Sequence, residues 1–253
     1  MIRDSALAAL LRRDRAVVLA ALLAVTALAW TDVVQLAHGM SDMAAMPGMD
    51  MTFHFLPMFA MWTVMMIGMM TPAVAPMILI YTQVARRHTG VTPFSSAFWF
   101  AGGYLLAWAG FSLLATCTQW GLEKVALLSP MMASSSHLFA GLLLIAAGLY
   151  QWLPIKYACL SRCRAPLSFI MKHGGFQMRA AGSLRLGLQH GLYCVGCCWA
   201  LMALLFVGGV MNLLWIAALT VFVLLERLLP GWRYFARASG AVATAAGAWI
   251  VLH

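Results

Sequence analysis

The sequence predicts an all-α, polytopic membrane protein of about seven transmembrane helices with a cytoplasmic N-terminus. Three observations lead there. The chain is 64 % hydrophobic and only 9 % charged, where a soluble domain carries about a quarter charged residues. Its apolar residues gather in runs close to the ~20 residues that cross a bilayer as a helix. Its sixteen Lys and Arg residues occupy alternate gaps between those runs, which is the positive-inside pattern. One helical membrane domain over residues 1–253 is expected, with no further soluble domain.

The formal charge of +9 is a topology signal rather than a nucleic-acid footprint. Arg3 to Arg15, Arg86 and Arg87, Lys156 to Arg185, and Arg227 to Arg237 all fall on the cytoplasmic side of this topology, with Lys124 alone outside. Beyond setting orientation they reach lipid headgroups. The localisation that follows is the bacterial inner (plasma) membrane, multi-pass.

The first expected span is 16–36, an apolar run after a basic tail. A signal peptide cleaved near Ala27-Leu-Ala29 is the alternative; either way the next segment lies outside. That segment, 37–53, carries His38, Met40, Met43, Met46, Met49 and Met51 with Gly and Pro between them, against a regular helix. The second span is 54–80, where Pro72 crowds the carbonyl of Gly68 and favours a kink. The third, 94–116, contains Gly102-Gly103 and Gly110, which allow close helix approach. An outer loop and a fourth span, 137–153, come next. The cytoplasmic segment 154–186 holds Cys159 and Cys163. The fifth span, 187–208, opens on a His/Cys motif. The sixth, 211–229, ends in Glu226-Arg227-Leu-Leu-Pro230, with Glu226 expected to partner a neighbouring Arg. The seventh, 234–252, is Ala/Gly-rich and weakly hydrophobic.

The motif His190-Gly-Leu-Tyr-Cys194-Val-Gly-Cys197-Cys198 carries the chemistry. At about 100° per residue, Cys194, Cys197 and Cys198 lie roughly +40°, −20° and +80° from His190, one arc about 100° wide. Thiolates and imidazole are soft-metal ligands. Five of the six cysteines fall on the reducing side of this topology, which favours metal or redox chemistry over structural disulfides. His190 and Cys197 are separated by about 10 Å of helical rise, so one ion does not take every ligand. The expected sets are Cys194 with Cys197 or Cys198, completed by Cys159 and Cys163. His190 lies one turn lower as an entry or exit ligand. Cys117 reads as a small buried apolar residue.

Twelve of the nineteen methionines lie between Met40 and Met77. Thioethers are neutral soft ligands that suit Cu(I). On the second helix Met58, Met61, Met65 and Met69 form a stripe about 16 Å long; adaptable packing is the competing account of that stripe.

The segments Met61-Trp62-Thr-Val-Met65-Met66-Ile-Gly-Met69-Met70-Thr71-Pro72, Cys159-Leu-Ser-Arg-Cys163, His190 to Trp199 and Glu226-Arg227-Leu-Leu-Pro230 resemble a bacterial family of predicted metal-binding integral membrane proteins, a domain-of-unknown-function family. The resemblance spans roughly residues 54–231 and implies membrane insertion and metal binding. Met65-x-x-x-Met69 is also similar to the Met-x-x-x-Met element of eukaryotic copper transporters, which have three spans.

The function expected is binding of a soft metal, copper(I) or another such ion (mercury among them), with transport or handover. His38 and the loop methionines capture it, Met58, Met61, Met65 and Met69 relay it, and Cys159, Cys163, Cys194, Cys197 and Cys198 receive it. No phosphate-cradling Gly-x-x-x-x-Gly-Lys-Ser/Thr motif is present, so ATP-driven pumping is not expected. Expected partners are the ion, the bilayer, a cytosolic or membrane metalloprotein acceptor, and a second copy in a homo-oligomer, with no nucleic acid. The alternatives are a membrane thiol–disulfide oxidoreductase using Cys194-Val-Gly-Cys197, and a non-transporting metallochaperone or assembly factor. A binding protein is favoured over an enzyme.

Overall fold

A computed structural model describes the backbone of residues 2–44, 54–89, 94–128, 134, 136–177 and 179–253; side chains are described for the same residues except 2–11, 40–44 and 87–89. Among them the secondary structure is helical apart from one isolated bridge between Leu128 and Ser134. The helices are α1 (Ile2–Ala44), α2 (Phe55–Thr89), α3 (Phe94–Lys124), α4 (His137–Tyr150), α5 (Pro154–Arg164), α6 (Pro166–Lys172), α7 (Ala180–Ala203), α8 (Leu205–Gly208), α9 (Leu213–Leu228) and α10 (Trp232–Leu252).

Among the described residues five stretches are long and apolar enough to cross a membrane: Arg12–Gly39, Phe55–Arg86, Phe94–Lys124, Ala180–Gly208 and Trp232–Leu252. Pairing α4 with α5, which meet at a 65° bend, raises the number to six. Seven were expected. The shortfall lies at α9, whose 16 residues fall below the ~20 a span needs. Asn212 starts that helix by accepting a hydrogen bond from Trp215 N at 3.2 Å, and Leu229 and Pro230 follow its end. The break before it is made by Gly209, whose φ of 93° favours glycine.

Local chemistry sets the other boundaries. Ser136 caps α4 by accepting from Phe139 N at 3.3 Å. Pro154 and Pro166 stand in the first turns of α5 and α6, where no N–H is needed. Pro72 and Pro76 lie inside α2 without ending it. The segment 154–186, read as a loop from its charges, is instead largely helical, because Lys and Arg are good helix formers.

The bundle is tied at two levels. At the basic end, Tyr81 Oη on α2 shares a hydrogen bond of 2.9 Å with Ser183 Oγ on α7. There Arg86 donates twice to Asp14 of α1, at 2.6 Å each. At the opposite end, Trp62 Nε1 donates to Gln119 Oε1 of α3 at 2.7 Å, and its ring meets Phe206 at 5.4 Å. Hence α3 and α7 run parallel to each other and antiparallel to α2. Their axes come close where side chains are absent. A Cβ on Gly187 would fall onto the Phe100 carbonyl, and one on Gly103 onto the Leu184 carbonyl.

Candidate metal centre

The His/Cys motif does not open its helix. α7 begins at Ala180, seven residues before the apolar run, because Ser183 is satisfied by Tyr81 and by the Gln177 carbonyl at 3.0 Å. Cys194 therefore sits fourteen residues from either end of Ala180–Gly208, about 21 Å of helix each way. The thiols lie midway along this stretch rather than at the end where it begins.

Around Cys194 four helices converge. Tyr104 Oη of α3 lies 3.0 Å from Cys194 Sγ and donates to the Met70 carbonyl of α2 at 3.2 Å. Arg227 of α9 donates from Nη2 to Cys194 Sγ at 2.6 Å and to Cys197 Sγ at 3.5 Å. Its Nη1 donates to the Ala73 carbonyl at 3.3 Å. The Cys197 and Cys198 thiols each turn back onto the Cys194 carbonyl at 3.0 Å. Cys163 of α5 is buried beside Cys197. Four of the expected ligands, Cys163, Cys194, Cys197 and Cys198, are thus buried near one another, without three of them gathering round one point.

The remaining two depart from expectation. Cys159, only half-buried, lies against Gly196, where an added Cβ would meet its sulfur at 3.0 Å. His190 is enclosed by Phe169, Phe100 and Tyr104, with ring centroids at 5.1, 6.0 and 6.0 Å, and its buried Nδ1 has no partner. Among the described residues no three His, Cys, Asp or Glu side chains converge as a ready metal-holding group.

Of the stripe, Met61, Met65 and Met69 are buried. Met58 is half-buried, with Gln119 Nε2 directed at its sulfur from 3.7 Å. Met66, Met70 and Met77 are buried too, so the sulfur-rich face is wider than the stripe alone. His38 is exposed near the end of α1. That helix runs through Ala44, so the first part of the expected loop is helical. Met40 and Met43 are described in backbone only, and Met46, Met49 and Met51 lie outside the described residues. Cys117, expected to be buried, is exposed on α3.

Glu226 binds not an arginine side chain but Lys156, whose Nζ donates to both carboxylate oxygens at 2.8 Å and also to Gln151. Lys156 is fully buried, although sequence reading placed it in a cytoplasmic loop. An arginine does touch Glu226, since Arg164 donates to its backbone carbonyl at 2.7 Å. Arg227, Tyr104 and Lys156 are the site residues that sequence reasoning missed. Arg227 carried a signal nonetheless: a cation ending an apolar run must be paired or lie at an interface.

A family model described as copper chaperone (PpoB2) matches residues 59–250, well over half of the chain. The chain belongs to the copper chaperone family. The matched stretch contains every cysteine, together with Met61, Met65, Met69, Tyr104, Lys156, Glu226 and Arg227. Met58, His38 and the loop methionines precede it. Neither a curated protein nor a solved structure matches this copper chaperone family member.

Proposed function

We propose that this protein takes Cu(I) as cargo within the membrane and hands it to an acceptor metalloprotein. Soft sulfur donors suit that ion, because thiolate and thioether select Cu(I) where carboxylate and water suit harder ions. The observation that carries the reading is the buried group of Cys163, Cys194, Cys197 and Cys198, joined to the methionine helix by the Tyr104 hydroxyl between Cys194 Sγ and the Met70 carbonyl. His38, Met40, Met43, Met46, Met49 and Met51 capture the ion, and Met58, Met61, Met65 and Met69 relay it to the thiols. Cys159, against Gly196, stands as the next sulfur on the way out. Binding requires each participating thiol to lose its proton, and handover reverses this by thiolate exchange with the acceptor.

The test is elemental analysis of the purified, reduced protein after copper loading. Wild type is expected to retain about one copper per chain, and Cys194→Ser with Cys197→Ser to retain none. Equal retention by the two proteins would overturn the proposal.

A further inference from the structure

We infer that Arg227 sets the valence of the ion this site accepts, making it a specificity residue for soft monovalent over divalent cations. The inference rests on the reading that these thiols receive the cargo, and it adds a rule about charge.

A guanidinium stays charged in any protein environment. The Arg227 residue is only 9 % exposed, and its guanidinium reaches the middle of an apolar span. Such a cation needs a negative partner, and the groups around it narrow the choice. The Lys156–Glu226 pair closes on itself at 2.8 Å and carries no net charge. Arg164, itself a cation, donates to the Glu226 backbone and lies over the Trp232 ring. His190 is neutral or cationic and never an anion. Tyr104 already donates to a carbonyl. Cys163 faces Cys197, and Cys198 bonds the Cys194 carbonyl. What Arg227 touches with its Nη2 is sulfur, on Cys194 at 2.6 Å and on Cys197 at 3.5 Å.

Two thiolates around a monovalent ion form a complex of charge −1. One of the two sulfurs enters as the thiolate that Arg227 requires, so in the balanced step one S–H bond breaks, two metal–sulfur bonds form, one proton leaves to water, and no electron is transferred. Beside Arg227 that complex is neutral overall. A divalent ion on the same two sulfurs leaves an uncompensated positive charge in an apolar interior, which is heavily disfavoured. A divalent ion escapes the rule only by recruiting a third thiolate. Among the described residues no three such ligands converge, whereas two suffice for the linear geometry of d¹⁰ monovalent ions. Charge and ligand count therefore select in the same direction.

The experiment compares Ag(I), an air-stable soft monovalent probe, with Zn(II). Affinities are measured by chelator competition on the full reduced protein in lipid nanodiscs, for wild type, Arg227→Gln and Arg227→Lys. Arg227→Gln is expected to lower the ratio of Ag(I) to Zn(II) affinity by about 100-fold through weaker Ag(I) binding, with Zn(II) no weaker, while Arg227→Lys keeps it within about threefold. An unchanged ratio in Arg227→Gln overturns the inference. So does stoichiometric uptake of Zn(II) by wild type at the affinity of Ag(I), a reading that needs no variant to fold. Should Ag(I) binding prove indifferent to Cys194→Ser with Cys197→Ser, the cargo reading falls and takes this one with it. A ratio indifferent to residue 227 with Ag(I) still held by the cysteines removes the valence rule alone.

Discussion

Arg227 holds a guanidinium nitrogen 2.6 Å from the sulfur of Cys194, midway along the span that carries the cysteines. This pairing joins α9, too short to span by itself, to the centre of α7. It also orders the site, since Nη1 of the same side chain reaches the Ala73 carbonyl on the methionine helix. With Tyr104 approaching the same sulfur from α3, Cys194 is the residue at which four helices are registered. A sulfur so placed fixes the bundle and, under the proposed function, meets the cargo, so structural and binding effects must be separated variant by variant.

The Tyr104 hydroxyl is the mildest place to separate them. Tyr104→Phe keeps the ring packed and removes the bridge between Met70 and Cys194. A buried hydrogen bond contributes about 1 kcal/mol, more when a partner is left unsatisfied. The Met70 carbonyl keeps its helical environment, so a loss of about 1–2 kcal/mol is expected. Thermal unfolding in detergent measures it. Copper affinity, followed by chelator competition, is expected to fall less than about tenfold, because both cysteines remain.

Lys156 and Glu226 form a buried pair whose value shows only when it is broken. Glu226→Leu leaves an ammonium unpaired in the interior and is expected to cost about 3–5 kcal/mol. Replacing both partners, Lys156→Met with Glu226→Leu, removes the charges together and is expected to restore most of that loss. Unfolding of wild type, the single variant and the double variant completes the comparison. A double variant no more stable than the single one would show that the pair matters by some route other than desolvation.

The sequence was most legible where lipid dictates it. Long apolar helices, a sulfur-rich second helix and a cysteine face on one arc all follow from composition and a 3.6-residue repeat. Depth was not legible. The start of α7 was placed at residue 187 because hydropathy rises there, yet the helix begins at Ala180. The reason is that Ser183 finds Tyr81 across the bundle, a long-range contact with no local signature. Lys156 was misplaced for the same reason, since a lysine next to Arg-rich sequence looks solvated until its carboxylate appears seventy residues later. The partition of ligands was also hidden. An arc on a helical wheel cannot show that His190 turns into an aromatic enclosure while Cys163 joins from another helix.

Close packing of α3 against α7 supports the site and gives a sharp contrast. At Gly187 an added Cβ would collide with the Phe100 backbone, which cannot rotate away. Gly187→Ala is expected to destabilise by about 3 kcal/mol or more and to lower copper retention with it. Gly121, on the same helix pair but in open space, gives the control. Gly121→Ala is expected to be neutral or to stabilise by about 0.5–1 kcal/mol through helix propensity. Folded yield by size-exclusion chromatography and thermal midpoints distinguish the two.

The methionine stripe decides between packing and passage. Met65 and Met69 are both about 1 % exposed, as either account requires, so burial cannot choose. Leucine has nearly the same volume without the sulfur, and such swaps cost less than about 1.5 kcal/mol each. Met65→Leu with Met69→Leu is therefore expected to unfold close to wild type and to bind copper at the cysteines with unchanged affinity in detergent. In sealed proteoliposomes, where the ion is supplied from the Met58 side alone, loading of those cysteines is expected to slow on the order of tenfold, equal to ~1.4 kcal/mol on the barrier. Loading at the wild-type rate would mean that the thioethers only fill space, and the route to Cys194 would have to be sought along another face of the bundle.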